Sequence, residues 1–171
     1  RMAIAIPFFL ILSVSGAFAQ EDQTSVVSAV EAKYAKVNVM QAAFVQKVRS
    51  EVFGEEVQKG EMIVKRPAKM KWDFQSHEKQ FVTNGQTMWI YTRKNNQVIR
   101  YKDVSGTRSA ADSLLQSLDN LQTTYDVKVE GGENSGHVLN LAPKGEGQFK
   151  SVRLTVDKSY VVQEVVIVDA V

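Results

Sequence analysis

Lys65-Arg66-Pro67-Ala68-Lys69-Met70-Lys71-Trp72-Asp73-Phe74 is the stretch that decides how the rest of the chain reads. From Lys69 onward the side chains alternate. Met70, Trp72 and Phe74 fall on one side, Lys69, Lys71 and Asp73 on the other. A period of two is that of a strand with one buried and one wet face. Upstream, Ala42-Ala43-Phe44-Val45-Gln46-Lys47-Val48-Arg49 repeats the pattern, with Ala42, Phe44 and Val48 opposite Lys47 and Arg49. Downstream, Asn84-Gly85 separates Phe81-Val82-Thr83 from Gln86-Thr87-Met88-Trp89-Ile90-Tyr91. Asn-Gly between two β-type runs is a strong hairpin signal, because both turn residues must tolerate positive φ. Gln97 to Lys102 reads as a further short strand.

The period changes twice. Val26, Val27, Val30, Tyr34 and Val37 recur at helical spacing between Thr24 and Val37, with Thr24 or Ser25 available as a cap. Between Ser105 and Leu121, residues Ala110, Ala111, Leu114, Leu115, Leu118 and Leu121 do the same. Asp112, Gln116 and Asp119 populate the opposite side, where the two aspartates are expected only to solvate the helix. Strands follow at Tyr125–Val129, His137–Leu141, Phe149–Val156 and Val161–Val168, separated by polar or glycine-rich turns. Short connections favour antiparallel neighbours. A sheet of about nine or ten strands tends to curl. The expected fold is mainly β (α+β): an incomplete antiparallel β-barrel, or strongly curved sheet, with a helical lid.

The chain has 171 residues, a one-domain length. Arg1, an apolar run to Leu12 and the triplet Ala17-Phe18-Ala19 form the three parts of a secretory signal. Residues 1–19 are therefore expected to be a cleaved signal peptide, and 20–171 a single domain. The absence of cysteine excludes disulfides, thiolate metal sites and a lipid anchor at the signal junction. An exported, unlipidated, cysteine-free chain fits a bacterial periplasm. A net charge of +2 forces no large basic patch, so no nucleic-acid partner is suggested.

No catalytic constellation is visible. His77 and His137 lie in different segments, outside any metal-ligand spacing, and read as surface or turn residues. Neither a nucleophile elbow nor a phosphate loop occurs. An enzyme is not expected, nor a cofactor or metal. What stands out is apolar bulk on one face: Phe44, Met62, Val64, Met70, Trp72, Phe74, Met88 and Ile90, with Leu114, Leu115 and Leu118 of the second helix. Pattern alone favours a solid core here, since helices on a sheet normally fill the gap between them. Periodicity does not tell a filled core from a cavity.

Gly60-Glu61-Met62-Ile63-Val64-Lys65-Arg66-Pro67, running on to Trp72, resembles a motif of the LolA-type outer-membrane lipoprotein carriers. Ala43-Phe44-Val45-Gln46-Lys47-Val48 is similar to the first strand of that family. Val82 to Tyr91 is similar to its hairpin, and Gln97-Val98 follows at the expected interval. The resemblance implies an apolar hollow lined by the residues named above. It implies a carrier that takes acylated lipoproteins from an inner-membrane ABC transporter and delivers them to an outer-membrane receptor, acting as a monomer. It also implies that Arg66, the arginine of the R-P motif, bonds to the lid helices and holds the empty form shut.

Family members continue past the strand at Val165–Val168, so truncation at the C-terminus, or a more open barrel, is expected. Rival readings are an outer-membrane lipoprotein receptor, which would need its own lipid anchor, and a lipid-sensing regulatory domain of the same shape, which would need a partner domain.

Overall fold

The computed structural model describes residues 23–104, 109–133, 136–145 and 149–169. The proposed signal peptide lies outside them. Helix α1, Gln23–Ala35, leads into β1 (Val39–Ser50), β2 (Gly54–Lys65), β3 (Lys69–Phe74), β4 (Lys79–Thr83), β5 (Thr87–Thr92) and β6 (Gln97–Lys102). Two short helices follow, α2 (Ala110–Gln116) and α3 (Leu121–Thr124). The chain then runs through β7 (Tyr125–Gly131), β8 (His137–Pro143), β9 (Phe149–Val156) and β10 (Val162–Asp169).

Every pairing is between sequence neighbours and antiparallel. The strands form two sheets, one of six in the order β1 to β6 and one of four in the order β10-β9-β8-β7. The architecture is therefore mostly β and unclosed, as expected, but the sheet is interrupted where α2 and α3 intervene. Three other local readings are corrected. The second helix is two helices. Ser117 turns its hydroxyl back onto the carbonyls of Ser113 and Leu114, and Asp119-Asn120 begin a new start. The β4–β5 connection has three residues, and of its Asn-Gly pair only Gly85 takes positive φ. Asn84 instead accepts the backbone N–H groups of Gln86 and Thr87 on its side-chain oxygen. Finally, α1 starts at Gln23, which puts Thr24 and Ser25 inside its first turn.

Two rows of apolar residues cross the inner face of the small sheet. They are Val129-Leu139-Leu154-Val165 and Val127-Leu141-Val152-Ile167. Against this face pack Val26, Val27 and Val30 of α1, with Leu114, Leu118 and Leu121 from the α2–α3 region; all six are buried. The gap between helices and small sheet is filled. At the far end, β1 and β2 run past the rest of their sheet as a two-stranded hairpin. Its tip carries Val52 and Phe53, 81% and 90% exposed.

On the large sheet the inner face holds Phe44 over Gly60. A Cβ at Gly60 would collide with the Asp73 carbonyl oxygen and lie 2.9 Å from the Phe44 ring, so only glycine lets that ring settle there. On the other face, Asp73 of β3 accepts 2.7 Å bonds from Arg93, in the β5–β6 turn, and a 2.6 Å bond from Gln80 of β4. The Arg93 guanidinium holds the Asp73 carboxyl below the ordinary carboxylate range, with Gln80 adding to it and burial opposing. A carboxyl whose folded pKa lies below its unfolded value of about 3.9 stabilises at higher pH. That contribution is lost as pH falls through the folded value. Asp73→Asn should therefore lower the urea midpoint at neutral pH, and the gap to wild type should close as the solution is acidified below the unfolded carboxylate pKa. A gap of constant size across that range would contradict the assignment.

Candidate functional site

The inner face of the large sheet can be followed by register. Met62, Trp72, Phe81, Ile90 and Ile99 stand side by side across β2 to β6. On the same face Phe74 lies two residues further along β3, and the Met88–Tyr101 pair two residues away on β5 and β6. The sequence-selected residues divide into two groups. Val64, Met70, Leu114, Leu115 and Leu118 are buried in the shared core. Phe44, Met62, Trp72, Phe74, Met88 and Ile90 keep part of their surface exposed. Of these, Met62 and Trp72 pack against the core's edge, while Phe44, Phe74, Met88 and Ile90 fall outside it.

An aromatic floor results. Phe44 meets Trp72 edge-on at 4.9 Å and Phe74 at 5.1 Å, and Phe74 meets Phe81 at 5.4 Å. Edge-to-face pairs at such distances are favourable beyond the area they bury. Beyond Phe81 the face continues with Ile99 and Tyr101, 52% and 46% exposed. Sequence reading missed Phe81, Ile99 and Tyr101. Their alternation was available, but only pairing with Trp72, Ile90 and Met88 shows which side they share.

The cover over this face is held by polar bonds from the β2–β3 region. Arg66 donates from Nη1 to the Tyr34 carbonyl near the end of α1, at 2.9 Å. The same nitrogen lies 2.9 Å from Asp119 Oδ2, just before α3. The Ala68 amide donates to Gln116 Oε1 of α2 at 3.1 Å, and Trp72 Nε1 donates to Asp112 Oδ1 at 2.9 Å. Asp112 and Asp119, expected to solvate the helix, thus bind the sheet, and Gln116 does so with them. Asp112 and Gln116 occupy the polar side of α2 as the periodicity required, with Asp119 just beyond its end, but that side turns toward the β2–β3 turn. Solvation gives way because three donors are presented there by the turn and by Trp72. Arg66 is 13% exposed, and its Nε and Nη2 are buried with no hydrogen-bond partner among the described residues.

A second link joins the helices to each other. Glu31 of α1 accepts from the backbone and side-chain N–H groups of Gln122 in α3, both at 2.8 Å. Tyr34 donates nothing to this link. Its hydroxyl accepts the Val162 amide of β10 at 3.0 Å, and burial raises its pKa.

Among the described residues no group of three or more His, Asp or Glu could hold a metal. His77 pairs with Glu56 at 2.9 Å and His137 stacks on Tyr160, in separate parts of the fold. The arrangement is suited to holding an apolar ligand. Trp72→Phe keeps the ring and removes the donor to Asp112, a charge-assisted bond worth about 1–3 kcal/mol. The variant should lose stability in that range. Amide exchange in α2 should quicken more than in the small sheet. Unchanged exchange in α2 would show that the bond does not hold the helix.

Residues 35–171 match the family described as "Outer membrane lipoprotein carrier protein LolA". An outer-membrane lipoprotein carrier protein of Chromobacterium violaceum is 24% identical over 150 residues, spanning 86% of this chain and 72% of its own length. One from Yersinia enterocolitica is 29% identical over 147 residues, spanning 84% of this chain and 70% of its own length. The crystal structure of a LolA superfamily protein from Nitrosomonas europaea is 11% identical, covers 86% of this chain and 72% of that one, and superposes with a TM-score of 0.44. The family match takes in most of the chain, from the end of α1 through β10, and the protein belongs to the LolA family.

Proposed function

We propose that this chain carries lipoproteins through the periplasm, seating their acyl chains on the inner face of the large sheet. The observation that carries the reading is the part-exposed apolar floor of Phe44, Phe74, Phe81, Met88 and Ile90, which continues outward from a helix-covered core. Family membership and the names of the relatives support it. Burying one methylene is worth about 0.8 kcal/mol, so a long acyl chain does not cross water unshielded. Export through a leader at 1–19, loading from an inner-membrane ABC transporter and delivery to an outer-membrane receptor belong to the same proposal.

A carrier must also release. Closing the cover relies on few polar contacts, chiefly Arg66 to the Tyr34 carbonyl and to Asp119. Acyl chains that enter under α2 compete with those contacts. Cover closure and lipid binding then become two sides of one equilibrium. Solvent screens the Asp119 end, which is 35% exposed. The two bonds together are therefore worth about 1–3 kcal/mol, a tenfold to hundredfold bias toward the closed form.

Native mass spectrometry of the protein isolated from periplasm tests the carrier reading. Bound lipoprotein or acyl lipid is expected, and a protein that is always empty would contradict it. Arg66→Leu should retain bound lipid longer than wild type and show faster amide exchange in α2. Equal retention and equal exchange in the two proteins would remove the clamp role from Arg66.

A further inference from the structure

The face of the large sheet that points away from the helices has a character of its own. One row across it reads Gln41-Ile63-Lys71-Val82-Trp89-Arg100. The adjacent row contains Val39-Lys65-Lys69 and, on the far side, Thr87-Lys102. The two rows carry five cations and no carboxylate. Lys65 and Lys69 stand directly opposite each other, an arrangement that destabilises a strand pair. No ion pair engages any of the five among the described residues. The next row on this face holds Glu61 and Asp73 opposite each other, and Arg93 occupies Asp73. Between the lysines, Ile63, Val82 and Trp89 line an open recess of about 380 Å³. Ile63 and Val82 are each 36% exposed.

The geometry points to this face as a docking surface for an anionic phospholipid bilayer, distinct from the acyl-binding face. Charge complementarity selects the occupant. Five cations in two adjacent rows, with carboxylates only in the row beyond, are relieved by a layer of phosphates. A part-exposed Trp beside Ile and Val, ringed by long cationic side chains, is the composition that settles at a headgroup interface. Lipid transfer needs the carrier close to a membrane, but the docking face does not depend on the carrier reading: it engages headgroups, on the opposite side of the sheet.

Co-sedimentation of the full chain with vesicles tests the assignment. Vesicles of mixed phosphatidylglycerol and phosphatidylcholine should bind the chain, pure phosphatidylcholine at least about tenfold more weakly, and high salt should release it. The triple substitution Lys65→Gln, Lys69→Gln, Lys71→Gln should weaken binding on the order of 100-fold. These lysines are surface residues, so the fold survives; Trp89→Ser provides an independent second variant and should also weaken binding. Equal binding to both vesicle types, no binding, or a triple variant that binds like wild type would overturn the proposal. No binding to either vesicle type would favour an acidic protein surface as the occupant. The carrier reading stands or falls separately, on acyl chains bound to the purified protein.

Discussion

The large sheet is wider than the helices available to cover it. Six strands at about 4.8 Å spacing span roughly 24 Å, measured between the outer strands. Helix α2, at seven residues, is only about 10 Å long. The longer α1 is committed to the small sheet, packing on β7. Cover therefore reaches the inner residues of β2 and β3, where Val64 and Met70 are buried, and fades toward β6, where Ile99 and Tyr101 are about half exposed. The graded exposure of an otherwise apolar face follows from this mismatch.

The apolar side of α2 and α3 is spent on the core shared with the small sheet, where Leu114, Leu118 and Leu121 are fully buried. What remains to join this helical segment to the large sheet is polar: Asp112 and Gln116 of α2, and Asp119 between α2 and α3. Hydrogen bonds have a net worth of about 1 kcal/mol each, because the same groups bond to water when released. Such an attachment is specific in geometry yet weak in free energy. A few buried methylenes outweigh it, which is what a reversible lipid carrier requires.

Much of this fold was legible because its strands alternate. Lys69–Phe74, Gln97–Lys102 and Phe149–Val156 occupy the bounds their periodicity indicated. The distal arm of the first hairpin, Gly54 to Lys59, was not legible. Its Glu-Glu-Val-Gln-Lys composition carries no apolar period, and it is a strand because β1 pairs with it throughout. The break into two sheets was equally hidden, since pairing across an inserted helical segment leaves no local mark. At the candidate site, Arg66 and most of the floor were found through motif and alternation. Phe81, Ile99 and Tyr101 needed register, and Asp112, Gln116 and Asp119 needed the direction in which α2 faces. A charged residue opposite a leucine stripe looks the same in sequence whether it meets water or a tryptophan N–H.

Acyl chains seated as proposed on the inner face of the large sheet lie on the side of Trp72 and away from Trp89, because the two tryptophans lie on opposite faces of that sheet. An acylated peptide with brominated chains quenches only a nearby indole. With Trp89 replaced by Phe, the emission of Trp72 should be strongly quenched on peptide binding. With Trp72 replaced by Phe, the emission of Trp89 should be unaffected. Quenching of Trp89 in place of Trp72, or of neither while the peptide is bound, would place the chains elsewhere and contradict the account.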